Sequence, residues 1–184
     1  ASPHLQGTIV LPEVISESNR LSADLKYFDL NKFGGQADPS IYPYLNLTIK
    51  QAKINDYYFN NMLIKTSPMQ EGMMIESFNF ENNHLKMLGN GKWIENSNGQ
   101  ITFFDGSFYS DNFGTSLSSL GYPDVIKKGS LDSRLIGQWK GSPDLFSLNT
   151  FDGKVGLDLR EGEFLQVTKQ TKAIGQLLGL FSIS

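Results

Sequence analysis

Residues 131–146 are L-D-S-R-L-I-G-Q-W-K-G-S-P-D-L-F, residues 151–167 are F-D-G-K-V-G-L-D-L-R-E-G-E-F-L-Q-V, and residues 173–184 are A-I-G-Q-L-L-G-L-F-S-I-S. In the first two segments apolar residues alternate with polar ones, and glycine and proline separate the runs. Such alternation is typical of β-strands with one buried and one solvated face. The third segment has the apolar spacing of a helix, so this part of the chain predicts two strands and then a helix.

The same period of two recurs in the rest of the chain. Leu45, Leu47 and Ile49, for example, alternate with polar residues. Asn, Asp and Gly separate such runs, as at 98–99 and 152–153, and these residues tolerate the backbone angles of tight turns. Strands joined in chain order by tight turns form an antiparallel meander, so the sequence predicts a mainly β fold of this kind.

Two short helices interrupt the predicted strands. Residues 111–121 place Phe113 and Leu117 on one helical face, and Asp111 is the candidate N-cap. The apolar residues of 168–183 also follow a helical period. The glycines in this second helix each cost about 1 kcal/mol, so it needs tertiary packing to form.

Composition limits the class of protein. The chain has 184 residues, of which 39% are hydrophobic and 19% charged, and its net charge is -3. Residues 33–44 form a predicted loop, but no linker divides the chain, so we expect one β-rich domain over 1–184. No cluster of Lys or Arg indicates binding to nucleic acid. The absence of cysteine excludes disulfides, thiolate metal sites and a cysteine nucleophile.

Carboxylates are plentiful but stand mostly at turns or on the polar side of strands, whereas histidine is scarce. The two histidines, His4 and His84, have no carboxylate cluster near them in sequence, and we interpret both as surface residues. No known catalytic or nucleotide-binding motif is present. We therefore predict no catalytic residue, no metal site and no cofactor, and a hydrolase with carboxylates paired across strands is the least favoured alternative.

Several segments together resemble one protein family. The block W-x-G-x-P-x-x-F has its fixed positions at Trp139, Gly141, Pro143 and Phe146. With the other matching segments, it makes the chain similar to the C-terminal part of YhdP-like proteins, within the AsmA-like/TamB-like superfamily of Gram-negative envelope proteins. The other segments are L-Q-G-T-I-V-L-P at 5–12, L-S-A-D-L-K-Y-F-D-L at 21–30, D-P-S-I-Y-P-Y-L-N-L-T-I at 38–49, G-K-W at 91–93, N-F-G-T-S-L-S-S-L-G-Y at 112–122 and A-I-G-Q-L-L-G-L-F-S-I at 173–183.

The resemblance implies both a shape and a function. It implies a long curved antiparallel sheet, groove- or taco-like, whose concave face is apolar and holds phospholipid acyl chains during transport toward the outer membrane. It implies no enzymatic activity. We expect a periplasmic fragment of a longer protein, tethered to the inner membrane by a segment outside this chain. The expected partners are phospholipid acyl chains, the remainder of the same long chain, and inner- and outer-membrane proteins.

Alternation indicates which side chains face such a groove, although it proves only that each strand has one dry face. In a closed β-sandwich the same residues would form an ordinary core, and an adhesin or glycan-binding domain is the alternative function. The candidate lipid-groove residues are Leu45, Leu47, Ile49, Leu131, Leu135, Val155, Leu157 and Leu159.

Overall fold

The computed structural model describes residues 4–29, 38–54, 57–119, 126–146 and 150–164. The strands are β1 Leu5–Val10, β2 Leu21–Asp29, β3 Leu45–Ile54, β4 Tyr57–Met69, β5 Gly72–Glu81, β6 Leu85–Asn96, β7 Gly99–Ser110, β8 Ile126–Lys140 and β9 Asp152–Phe164. The helix α1 is Phe113–Ser119, and two single 3-10 turns are Pro39–Ile41 and Pro143–Leu145.

The nine strands form one open, curved sheet in which their order is their order along the chain. The predicted mainly β meander is therefore confirmed, with one correction: β2 and β3 pair in parallel. Leu21 lies opposite Leu45, and Leu25 lies opposite Ile49. A tight hairpin cannot join parallel strands, whereas the long connection over residues 30–44 can carry the chain back to the same end of the sheet.

The helix predicted over 111–121 is confirmed as α1, but its first turn differs from the prediction. The side chain of Asn112 accepts a hydrogen bond from the backbone N–H of Thr115 at 3.2 Å, so Asn112 is the N-cap. Asp111 instead contacts Nδ1 of His84 at 2.8 Å. The helix predicted over 168–183 lies outside the described residues, and the single domain over 1–184 stays a prediction.

Strand pairing gives the sheet two unlike faces. The face that carries Leu25, Ile49 and Trp93 is called the inner face here, and the opposite one the outer face. These three side chains are only 1–2% exposed, although no second sheet of described residues covers them. Side chains on the inside of a curved sheet converge, so the burial of Leu25 and Ile49 without a second sheet over them indicates that the inner face is the concave one.

Two phenylalanine rings cover pairs of glycines on the inner face. Gly89 lies opposite Gly106, and a Cβ atom at either position would come within 2.6 Å of the ring of Phe104. Gly137 lies opposite Gly153, and the ring of Phe151 covers that pair in the same way. Each ring shields the backbone that its glycine pair leaves bare, an arrangement that supports sharp curvature.

Filling one of these positions should destabilise the sheet. In Gly106→Val the new side chain would meet ring atoms of Phe104 at 2.4 Å, and overpacking of this kind costs about 1–3 kcal/mol. Urea unfolding should show a loss of that size. The control is Gly156→Val in β9, where an added Cβ meets nothing within 4 Å. Equal losses of stability in both variants would contradict a role for the packing of Phe104 on Gly106.

Candidate functional site

An uninterrupted apolar row crosses the whole inner face. Each of its residues lies directly opposite the next on the neighbouring strand, so all of them share one face. The row is Ile9, Ala23, Leu47, Ile64, Phe78, Gly89, Gly106, Leu135 and Val155. The rows beside it add a few Thr and Ser residues, and at the margin of the same face Glu95 lies opposite Gln100.

All eight candidate groove residues project from the inner face, three of them from this row. Ile49, Leu131 and Leu135 are buried, at no more than 6% exposure. The other five are half-buried and keep some surface accessible; they are Leu45, Leu47, Val155, Leu157 and Leu159. The candidate residues that keep accessible surface therefore lie on β3 and β9.

Aromatic rings fill the middle of the inner face. Phe80 packs edge-on against Phe59, with ring centroids 4.8 Å apart, and lies 5.9 Å from Phe78. Phe59, Phe78 and Phe80 are not among the eight candidate groove residues. Phe78 and Phe80 do alternate with polar neighbours, so the same period of two could have identified them.

The W-x-G-x-P-x-x-F block is a turn that folds back on itself. Trp139 donates a hydrogen bond from Nε1 to the carbonyl of Ser142 at 3.0 Å. Gly141 adopts a φ of +97°, which favours glycine, and Pro143 opens the 3-10 turn. The chain then returns Phe146 to Trp139, with ring centroids 5.1 Å apart. The motif thus positions two rings where β8 ends.

The connection between β2 and β3 covers the inner face at the same end of the sheet. Pro39 is fully buried, and Tyr42 packs on Trp93 with ring centroids 5.6 Å apart. Burial, together with the nearby charge of Asp144, raises the pKa of the Tyr42 phenol. The connection and the turn after β8 therefore lie near each other. We call this end of the sheet, which carries Trp93 and Trp139, the tryptophan end.

An ion-pair network fastens this connection to the sheet. The guanidinium of Arg20 is 7% exposed and donates hydrogen bonds to Oε1 of Glu76 and to the carbonyl of Thr66, both at 2.8 Å. It also stacks over the ring of Tyr44 at 5.2 Å. Lys65 pairs with the other carboxylate oxygen of Glu76 at 3.0 Å. The start of β2, the end of the connection and strands β4 and β5 are thereby held together.

The outer face is polar, and a shallow depression of about 550 Å³ opens on it. A glycan-binding domain would use exposed aromatic rings on such a face. The ring of Phe103 borders the depression, but the ammonium of Lys92 lies 4.6 Å from its centroid and occupies one side of it. Asp105 is engaged by Arg134 at 3.0 Å. These contacts do not favour glycan binding on the outer face over lipid binding on the inner face.

The described residues contain no cluster of three or more His, Asp or Glu side chains that could hold a metal ion. The side chain of His84 is 39% exposed and pairs with Asp111 at the start of α1. Within the described ranges, no helix has the length and apolar character needed to cross a bilayer.

These features define an open β-sheet protein whose concave face carries an uncharged apolar row across nine strands. The model of the YhdP protein family matches residues 1–184, so the chain belongs to the YhdP family. This confirms the resemblance and makes the chain a member of a lipid-transport family of the bacterial envelope. No curated protein and no solved structure matches the chain.

The Arg20–Glu76 network predicts a pH-dependent stability. Desolvation acts to raise the pKa of Glu76, but hydrogen bonds from Arg20, Lys65 and Ser67 outweigh it and lower the pKa from 4.5 to about 2. The carboxylate therefore stays charged to lower pH in the folded chain than in the unfolded one. Its stabilisation is complete above about pH 4.5 and is lost as the pH falls toward about 2.

Glu76→Gln should accordingly lower the free energy of unfolding by about 1.5–3 kcal/mol at neutral pH, the usual range for hydrogen bonds to a charged group. The difference from wild type should shrink as the pH falls through that window. Urea unfolding across the pH range measures it. Glu81→Gln, an exposed position in the same strand, is the control. A deficit for Glu76→Gln that did not change with pH would rule out the ionic origin.

Proposed function

We propose that this chain is a non-enzymatic module that shields phospholipid acyl chains on its inner face during transport toward the outer membrane. It acts in the periplasm, as part of a longer protein that a segment outside these residues tethers to the inner membrane. The observation that carries the proposal is the uncharged row from Ile9 to Val155, which reaches from one edge strand to the other.

The dimensions of the row support this proposal. Neighbouring strands lie about 4.8 Å apart, so nine strands extend the row over roughly 40 Å. A bilayer core is about 30 Å thick, so one acyl chain occupies roughly 15 Å of it. The row therefore exceeds the length of an acyl chain, and each CH₂ group that it removes from water contributes about 0.8 kcal/mol.

Accessibility indicates where acyl chains make their first contacts. On β1 the inward Leu5 and Ile9 are 39% and 50% exposed, and on β9 the inward Val155, Leu157 and Leu159 are half-buried. Both edge strands thus offer apolar surface, and aromatic rings occupy the space between them. A chain that moves along the row must displace side chains there.

Flexible side chains lie where that displacement is needed. Met62 and Met73 are buried on the inner face, and Met87 packs beside Phe80 and Phe108. Methionine is unbranched and polarizable, and it adapts to surfaces of variable shape. The inner face therefore combines fixed rings with adaptable thioethers along the path of the row.

Photo-crosslinking in Gram-negative cells tests the proposal. A benzophenone amino acid replaces Leu47 or Leu157 on the inner face, and Thr48 or Asp158 on the outer face serves as the matched neighbour. Mass spectrometry of the purified protein should recover phospholipid adducts from the two inner positions and far fewer from the outer ones. The proposal fails if the inner positions yield no phospholipid, or no more than their outer neighbours.

A further inference from the structure

The most exposed large apolar side chains are concentrated at one end of the sheet. Among the described residues, Ile41, Leu11 and Val14 are 70–72% exposed, and Leu145 follows at 59%. Next come strand residues: Val10 at 58%, then Tyr109, Tyr58 and Ile9 at 50–54%, whereas Leu63 and Leu88 on the outer face are exposed by 45% and 44%. The four highest values all belong to loops rather than strands, and singly exposed residues of this kind would need no common explanation.

These loops share the tryptophan end. They are residues 11–20 after β1, 38–44 before β3 and 141–146 after β8. Pairing places them along one line, because the end of β1 lies beside the start of β2 and the start of β2 beside the start of β3. The end of β8 and the start of β9 close the same side of the sheet.

Two of these loops are held in place by contacts beside their exposed apolar residues, Ile41 and Leu145, which we call the tips. Asp38 accepts hydrogen bonds from the backbone N–H and the hydroxyl of Ser40 at 2.8 and 2.6 Å, just before Ile41. Tyr42 is anchored on Trp93 directly after it. In the same way Leu145 precedes Phe146, which packs on Trp139.

The inner face beside these tips indicates which kind of partner contacts them. Ile41 and Leu145 each adjoin an aromatic residue that packs at the margin of the inner face, so a bilayer around the tips would also meet that margin. We propose that the tryptophan end is a membrane-docking surface that inserts Leu11, Ile41 and Leu145 into a bilayer of electrically neutral headgroups. The choice of a lipid occupant rests on the proposed function.

The charges of the three loops indicate which lipid headgroups they can approach. The three loops carry four acidic residues, Glu13, Glu17, Asp38 and Asp144, and Arg20 is their single basic residue. The guanidinium of Arg20 is already engaged by Glu76. Anionic membranes attract clusters of Lys and Arg and repel carboxylates. The docking surface therefore selects lipids without net charge.

Vesicle flotation tests the proposal with the 184-residue chain. The probes are vesicles of pure phosphatidylcholine and vesicles in which about a third of the lipid is phosphatidylglycerol. Wild type should float with the first, bind the second less, and regain part of that binding at high salt, because salt screens the carboxylates. Stronger binding to the anionic vesicles would overturn the proposed lipid selectivity.

Variants identify the surface. The double variant Ile41→Ser and Leu145→Ser should lower partition to neutral vesicles by about tenfold or more, since two apolar anchors are lost. The control is Leu63→Ser with Leu88→Ser, two outer-face residues of 45% and 44% exposure, and it should bind as wild type does. Urea unfolding of each variant verifies that it is folded.

The remaining outcomes are also decisive. If wild type binds neither vesicle, or if the control variant loses as much binding as the tip variant, the docking surface is refuted and a protein partner becomes the explanation for the exposed tips. Failure of the proposed function is separate: flotation would persist while crosslinking from Leu157 recovers no phospholipid. If crosslinking still recovers phospholipid adducts but the protein does not float with vesicles, only the docking surface is refuted.

Discussion

The alternation of apolar and polar residues in register across all nine strands is the constraint on which the rest of the structure depends. A slip of one residue in any pairing would exchange the two faces of that strand. In β9, for example, it would replace Val155 and Leu157 on the inner face by Lys154 and Asp158. The burial of Leu25 and Ile49 without a second sheet of described residues over them, and the uncharged row beside them, both depend on this pairing.

The sequence predicted well whatever depends on neighbours along the chain. A period of two is a local property, so it identified the strands and placed all eight candidate residues on one face. The helix over 111–121 was found for the same reason, because helical spacing and a polar start are visible within a few residues. The choice of Asp111 over Asn112 as its cap failed because the partner of Asp111 is His84, which is distant in sequence.

Features that depend on distant parts of the chain were not predicted. The parallel pairing of β2 with β3 is fixed by the ladder itself and by Arg20, whose partners Thr66 and Glu76 lie far along the chain. Likewise, alternation marked the inward residues but could not tell which would be buried by rings such as Phe80 and which would keep accessible surface. Burial depends on curvature, and curvature depends on contacts across several strands.

The parallel join also has a consequence for the order of folding. Strands β3 to β9 each pair with their neighbour in sequence in the antiparallel sense, whereas the β1–β2 pair reaches β3 only after residues 30–44 have brought the chain back. Closure of a long connection costs entropy before any contact repays it. We therefore expect β1 and β2 to join a sheet that has already formed, so that β3 serves as their template, an order that pulse-labelled hydrogen exchange would reveal.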